Sequence, residues 1–280
     1  MAVVAIDGVI VAEDRAMVSV LDRGFLYGDG LFEILRTWNH RAIDLELHLD
    51  RLCASAIELQ LAVDRTAIAR AVADVLAASE GEQRVRIVIT RGQGSVAARF
   101  ADVRGGHAIV IAEPLRPSGD DVPQISAAVV DYPLAPRAGH AHKTLAYLDH
   151  LIAKELAAGA GADEAFRCAA DGTIVEGATT NIFVRRGETI VTPPTLGILP
   201  GITRGHVLVC CGERGLAVQE RALTRAELAS ADEIFVTSAV RGIAAVTRLD
   251  GRSLGNGVGV VTKDLALAYA ERMRRATMPA

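Results

Sequence analysis

"ISAAVVDYPLAPRAGHAHKTLAYLDHLIAKEL", residues 125–156, reads as an apolar strand, a loop rich in Pro and Gly, and then a helix. It places Lys143 where the chain leaves a sheet and turns toward that helix. Downstream, "DEAFRCAADGTIVEGATTNIFVRRGETIVTP" (163–193) reads as three or four short strands with turns at Asp171-Gly172 and Arg186-Gly187. "GITRGHVLVCCGER" is a helix, "LAVQERAL" a strand, and "TRAELAS" a short helix opened by a capping-box pattern. "DEIFVTS" and "IAAVTRLDG" are strands, and "TKDLALAYAERMRRA" is a closing amphipathic helix.

Upstream, "VVAIDGVIVAED" is a hairpin signal around Asp7-Gly8, and "LFEILRTW" with "AIDL" repeats it around Asn39-His40-Arg41. Leu45, Leu49, Leu52, Ala56 and Leu59 recur at helical spacing, "RTAIARAVADVLAAS" predicts a second helix, and "QRVRIVITR" and "HAIVIAE" predict two strands. "PLRPSGDDVP" (114–123), with three prolines, is the best linker candidate. The expected fold is α/β (α+β) in two domains: a small N-terminal α/β domain over 1–117 and a larger mixed α/β domain over 118–280.

The 280 residues are half hydrophobic, with mean hydropathy +0.28, so a sizeable core is within reach. No apolar run approaches a membrane span, and the first residues lack the basic start of a signal peptide. The net charge of −4 is spread along the chain, with no basic stripe for nucleic acid. Cys53, Cys168, Cys210 and Cys211 form no C-x-x-C pair and read as reduced thiols of a cytoplasmic protein. The seven histidines show no metal-ligand spacing, so no metal is expected.

A lysine amine becomes a nucleophile when it is desolvated or placed beside positive charge. For Lys143 the alternative is a solvated surface residue. Glu176, at a strand end before Gly177 and a run of small hydroxyl residues, would be costly to bury unpaired; the alternative is an exposed hairpin glutamate. Pyridoxal phosphate chemistry needs such a pair, a lysine for the Schiff base and an acid opposite the pyridine nitrogen. "LPGITRGHVLV" offers a helix N-terminus at Ile202 and Thr203, suited to an anion or to ordinary capping. Thr237 and Ser238 in "FVTSAVRG" form a second donor set, and Arg51 in "HLDRL" faces either solvent or an anion.

Taken in order, "DRGFLYGDGLFEILR", "HLDRL", the Lys143 segment, "DGTIVEGATTNIF", "LPGITR" and "ADEIFVTSAVRGI" resemble the class IV aminotransferases, the fold-type-IV pyridoxal phosphate enzymes. That group includes branched-chain and D-amino-acid aminotransferases and aminodeoxychorismate lyases. The resemblance runs from about Asp22 to about Asp250. It implies an enzyme that moves an amino group between an amino acid and a 2-oxo acid. The alternative is aminodeoxychorismate lyase, which releases 4-aminobenzoate and pyruvate. It implies that Lys143 is the Schiff-base lysine and that Glu176 partners the pyridine nitrogen. Arg51 would bind the phosphate with Ile202, Thr203, Ser238 and the backbone of Ala239. Leu199 would pack on the ring, and Tyr147 would reach its phenolic oxygen. Many relatives carry Thr where Ala239 stands, so one phosphate hydroxyl is missing. Phe32 and Arg99 are the substrate-side candidates, with Arg36, Arg137 and Arg241 as other carboxylate-binding cations. Arg99 lies out of register with the Arg-x-His trap of the D-amino-acid enzymes. The resemblance also implies a homodimer, for which Phe25, Leu26 and Leu31 supply apolar surface.

Overall fold

The computed structural model of the protein describes residues 1–116, 121–132 and 142–277. The expected boundary at 117/118, and Arg137, lie outside the described residues. The described residues group into two compact units.

The first unit holds β1 (Val3–Ile6), β2 (Val9–Val11), α1 (Arg23–Tyr27), β3 (Gly30–Trp38), β4 (Arg41–Ala42), α2 (Leu45–Glu58), α3 (Arg65–Ala77), β5 (Gln83–Thr90) and β6 (Ala108–Pro114). Its strands form one antiparallel sheet in the order β2-β1-β6-β5-β3-β4. Both short hairpins turn on consecutive residues with positive φ, Asp7 (51°) with Gly8 (80°) and Asn39 (49°) with His40 (60°). Such turns match the natural twist of paired strands. Leu31 and Leu35 of β3, Val85, Ile87 and Ile89 of β5, and Val110 and Ala112 of β6 share a face by strand alternation. They pack against Leu49, Leu52 and Ala56 of α2 and Ile68, Val72 and Val75 of α3. Each large side chain buried there contributes about 1.5–3 kcal/mol. Leu31 belongs to this core, at 1% exposure, whereas Phe25 and Leu26 are exposed. Leu31 therefore supplies no surface, because alternation turns it to the helix-covered face.

The second unit holds β7 (Gln124–Val129), α4 (Leu148–Gly159), β8 (Glu164–Cys168), β9 (Ile174–Gly177), β10 (Asn181–Arg186), β11 (Thr189–Thr192), α5 (Ile202–Glu213), β12 (Ala217–Glu220), α6 (Arg225–Ala229), β13 (Glu233–Ser238), β14 (Gly242–Leu249), β15 (Arg252–Ser253) and α7 (Val260–Thr277). The sheet runs β12-β11-β10-β13-β14-β7-β8-β9, with β15 paired to β14. It is mixed: β7 lies parallel to both β14 and β8, and β11 parallel to β12, while the other pairs are antiparallel. Ile182, Val184, Ile234, Val236, Ala244 and Val246 meet in one core, and Ala153 and Ala157 of α4 pack in another with Val130 and Ala165. The Thr224–Glu227 capping box is present at α6.

The Lys143 segment departs from the sequence reading in two ways. The helix starts at Leu148, five residues beyond the lysine. Residues 142–147 group with the first unit, not with the larger one. No described helix is long and apolar enough to cross a membrane.

Candidate active site

In the first unit, the Lys143 stretch lies as an extra strand beside β3. The Phe32 N–H donates to the Lys143 carbonyl at 2.8 Å, and the Leu145 N–H donates to the Gly30 carbonyl at 3.0 Å. Leu31 and Thr144 are bridge partners between these rungs. Two glycines admit this approach. A Cβ on Gly30 would lie 2.6 Å from Leu145 Cδ1 and 2.3 Å from the Ile89 carbonyl oxygen. One on Gly28, whose φ is +67°, would lie 2.8 Å from the Ala146 nitrogen. The "YGDGLFE" motif is therefore what allows the lysine's backbone to sit where it does. Asp22 caps α1, accepting from the Gly24 N–H at 2.6 Å and the Thr90 hydroxyl at 2.7 Å. Asp29 ties Arg23 and Arg91 together.

The Lys143 side chain then lies among aromatic rings. Its Nζ is 4.5 Å from the centroid of Phe32 and 5.6 Å from that of Tyr147. These two rings meet edge to face at 5.2 Å. Arg86 of β5 joins the cluster, its guanidinium carbon 5.5 Å from the Phe32 centroid. Arg86 pairs with Ile34 in the β3–β5 ladder, so it is the diagonal neighbour of Phe32 on the face away from α2 and α3.

On the other face, Glu33 holds Arg51 of α2 through two bonds, Nε–Oε1 at 2.8 Å and Nη2–Oε2 at 2.6 Å. His48 Nδ1 meets Oε2 at 2.7 Å. Glu33 is 1% exposed. Burial alone would raise its carboxyl, but the hydrogen bonds and charges of Arg51 and His48 outweigh it and lower it to about 2. Arg51 is thus oriented by a carboxylate that stays ionised.

In the second unit, Glu176 on β9 is buried and sits directly opposite Arg167, itself buried, on β8. Gly177 and Thr180 close a tight turn after it, the Gly177 N–H donating to the Thr180 carbonyl at 2.7 Å. Asn181 opens β10 and donates from Nδ2 to the Leu199 carbonyl at 3.1 Å. Gly201, the N-cap of α5, runs so close that a Cβ would lie 2.0 Å from Asn181 Oδ1. This fixes the start of α5, with Thr203 buried and Ile202 half-buried. Thr237 pairs with Asn181 across β10 and β13 and shares its face. Its Oγ1 is buried with no hydrogen-bond partner. Ser238 and Ala239 follow at the strand end, both half-buried. The arrangement is a buried acid beside a set of hydroxyl and amide donors at a helix N-terminus, which is suited to a ring nitrogen and to an anion.

Residues 30–249 match the family described as Amino-transferase class IV. The chain belongs to the class IV aminotransferases. A Methanocaldococcus jannaschii protein provisionally named branched-chain-amino-acid aminotransferase is 36% identical, over 93% of this chain and 92% of its own. The D-alanine aminotransferase of Bacillus licheniformis is 30% identical over 95% of each chain. The aminodeoxychorismate lyase of Bacillus subtilis is 27% identical over 96% and 94%. Among solved structures, the branched-chain aminotransferase of Thermoproteus uzoniensis with norvaline matches at TM-score 0.85 and 30% identity, over 98% of this chain and 95% of that one. A Mycobacterium tuberculosis aminotransferase in a PLP-bound form matches at TM-score 0.84 and 26% identity, over 99% and 100%. The chain is an aminotransferase, and its family implies pyridoxal phosphate. Each unit carries residues that fit such a group: the first a lysine between aromatic rings, the second a buried carboxylate and an unpartnered buried hydroxyl on Thr237 near a helix start.

Of the cations proposed for a substrate carboxylate, Arg99 is exposed at the start of a single 3-10 turn, Phe100–Asp102. Arg36 lies over Trp38 at 5.6 Å, and Arg241 is exposed in the turn after β13. Arg86, Asn181 and Glu33 were not among the sequence candidates, whereas Thr237 was read with Ser238 as a second donor set. Alternation in "QRVRIVIT" could have found Arg86, because it sits out of phase with the core residues Val85 and Ile87. Among the described residues no His, Cys, Asp or Glu cluster could hold a metal.

Proposed function

We propose that the chain moves an amino group between an amino acid and a 2-oxo acid with pyridoxal 5′-phosphate attached to Lys143. When bound, the cofactor supplies an electron sink for negative charge at the substrate's α-carbon. Lys143 Nζ would hold the cofactor and, when freed by the amino substrate, would carry the proton taken from that carbon. Glu176 holds a proton at the pyridine nitrogen. Arg51, oriented by Glu33, binds the phosphate with the amides of Ile202 and Thr203, the Ser238 hydroxyl and the Ala239 backbone. Leu199 packs on the ring, and Tyr147 meets its phenolic oxygen. Phe32 walls the substrate side. Arg86, half-buried beside Phe32, is a better candidate for a substrate carboxylate than exposed Arg99.

The observation that carries this reading is the Lys143 amine held 4.5 Å over Phe32 on a segment bonded to β3. Borohydride reduction followed by peptide mass analysis should leave the cofactor on the peptide containing Lys143. Lys143→Ala should abolish both that label and turnover. A label on another lysine refutes the role. Aminotransferase is favoured over lyase because the relatives at 36% and 30% identity carry aminotransferase names, against 27% for the lyase. We place the enzyme in the cytoplasm as a homodimer. Its four free cysteines and the exposed apolar segment around Phe25 support that reading.

A further inference from the structure

We propose that His142 is a positioning residue for Lys143: its imidazole, gripped by Ser55 and Glu58 of α2, fixes the lysine's backbone on β3 and so sets where Nζ reaches. The inference rests on Lys143 being the cofactor-bearing lysine.

His142 immediately precedes the lysine, and its side chain is 10% exposed. Nδ1 lies 3.0 Å from Ser55 Oγ, and Nε2 lies 3.3 Å from Glu58 Oε2. The Glu58 carboxylate can only accept, so an Nε2–H faces it across this contact, while Nδ1 is hydrogen-bonded with the buried Ser55 hydroxyl. With both nitrogens engaged by α2, the ring is a peg and takes no part as an acid or base at the reacting atoms.

The next residue enters the ladder with β3, through the Phe32 N–H to the Lys143 carbonyl and the Leu145 N–H to the Gly30 carbonyl. Lys143 is therefore held from both sides, by a side-chain peg before it and two backbone rungs around it. The peg lands on a particular helix. Arg51 precedes Ser55 by four residues and Glu58 by seven, so all three share one face of α2 across about 10 Å. The helix that presents the proposed phosphate arginine also holds the lysine's neighbour. The cofactor has a fixed covalent distance between its phosphate and its attachment carbon. A shared rigid helix matches that distance, and displacement by about 1 Å costs up to ~100-fold in rate.

The test compares cofactor-loaded wild type with His142→Ala, His142→Gln and Glu58→Ala. The Glu58 side chain is 70% exposed, so its removal leaves the core intact. Readouts are the visible band of the lysine-linked cofactor and its pH titration, kcat and KM for an amino donor, and amide exchange at Phe32 and Leu145. His142→Ala should lower kcat roughly tenfold to a hundredfold with KM within about twofold. It should also speed exchange at both amides and move the band's titration midpoint. His142→Gln, whose amide N–H can still reach Glu58, should recover most of each effect. Glu58→Ala should fall between and still report if His142→Ala fails to fold. A wild type with a borohydride-sensitive band, alongside a His142→Ala or Glu58→Ala variant unchanged in exchange and kcat, overturns the positioning role alone. A wild type without that band removes the role of Lys143, and this inference falls with it.

Discussion

Glu33 receives donors from Arg51 and His48, and its carboxyl is lowered to about 2 from an ordinary 4.5. Because the folded value is the lower one, the ion pair's stabilisation is complete above 4.5 and is lost as pH falls toward about 2. The shift corresponds to something on the order of 3 kcal/mol. Glu33→Gln should therefore be less stable than wild type at about pH 7, with the gap closing as pH drops through that window. Thermal unfolding of the pair across pH measures it; a gap that stays constant would mean the carboxylate charge is not what stabilises. Glu176 makes the second residue-level prediction. Glu176→Gln keeps the shape but removes the charge, so α-proton removal should slow at least tenfold, or about 1.4 kcal/mol, with the fold intact. Single-turnover rates within about threefold of wild type would count against it. Lys143 and Glu176 were singled out through the family resemblance, since each alone also reads as a surface residue. Glu33 was not singled out, since its partners come from a helix whose facing side no local pattern reveals.

Strands and helices were legible where periodicity is clean. The first hairpin, α2, α3 and the strands of 163–193, four in number, form where the pattern places them, whereas the return strand of the second hairpin is Arg41–Ala42 rather than the expected "AIDL". The stretch around Lys143 was read as a loop leading straight into a helix, and no local pattern in it reveals a strand. Pairing with β3 overrides that local preference, and the helix waits until Leu148. The glycines were visible as turn signals, but their reason was not: Gly28, Gly30 and Gly201 each make room for a neighbouring segment. At Gly201 the prediction is sharp. A methyl group there meets Asn181 Oδ1 at 2.0 Å, which must swing away and release the Leu199 carbonyl. Gly201→Ala should weaken phosphate-anchored cofactor binding roughly tenfold while costing about 1–3 kcal/mol in stability. Equilibrium dialysis of the cofactor checks the first part. Unchanged affinity would show that the start of α5 does not carry the phosphate.

For the molecule as a whole, the informative surface is the segment from Met17 to Tyr27. Met17, Val20, Leu21 and Phe25 are exposed at 72%, 67%, 60% and 68%. Leu26 and Tyr27 add to them. Large apolar side chains clustered in one short segment are costly to leave in water, at about 25 cal/mol per Å². The segment cannot simply fold inward. Its local conformation is fixed by the Asp22 cap on α1 and by the Arg23–Asp29–Arg91 pairs, which hold the apolar residues outward. A second copy of this chain is the occupant we expect there, since the same segment would meet itself or its neighbour across a twofold axis. Light scattering at assay concentration should give twice the 29.5 kDa chain mass. Phe25→Asp with Leu21→Asp should shift that equilibrium toward monomer and make melting temperature depend on protein concentration. Circular dichroism should remain near wild type, because neither side chain belongs to a core. An active wild-type monomer, or a double variant that stays dimeric, would show that this segment is not the interface.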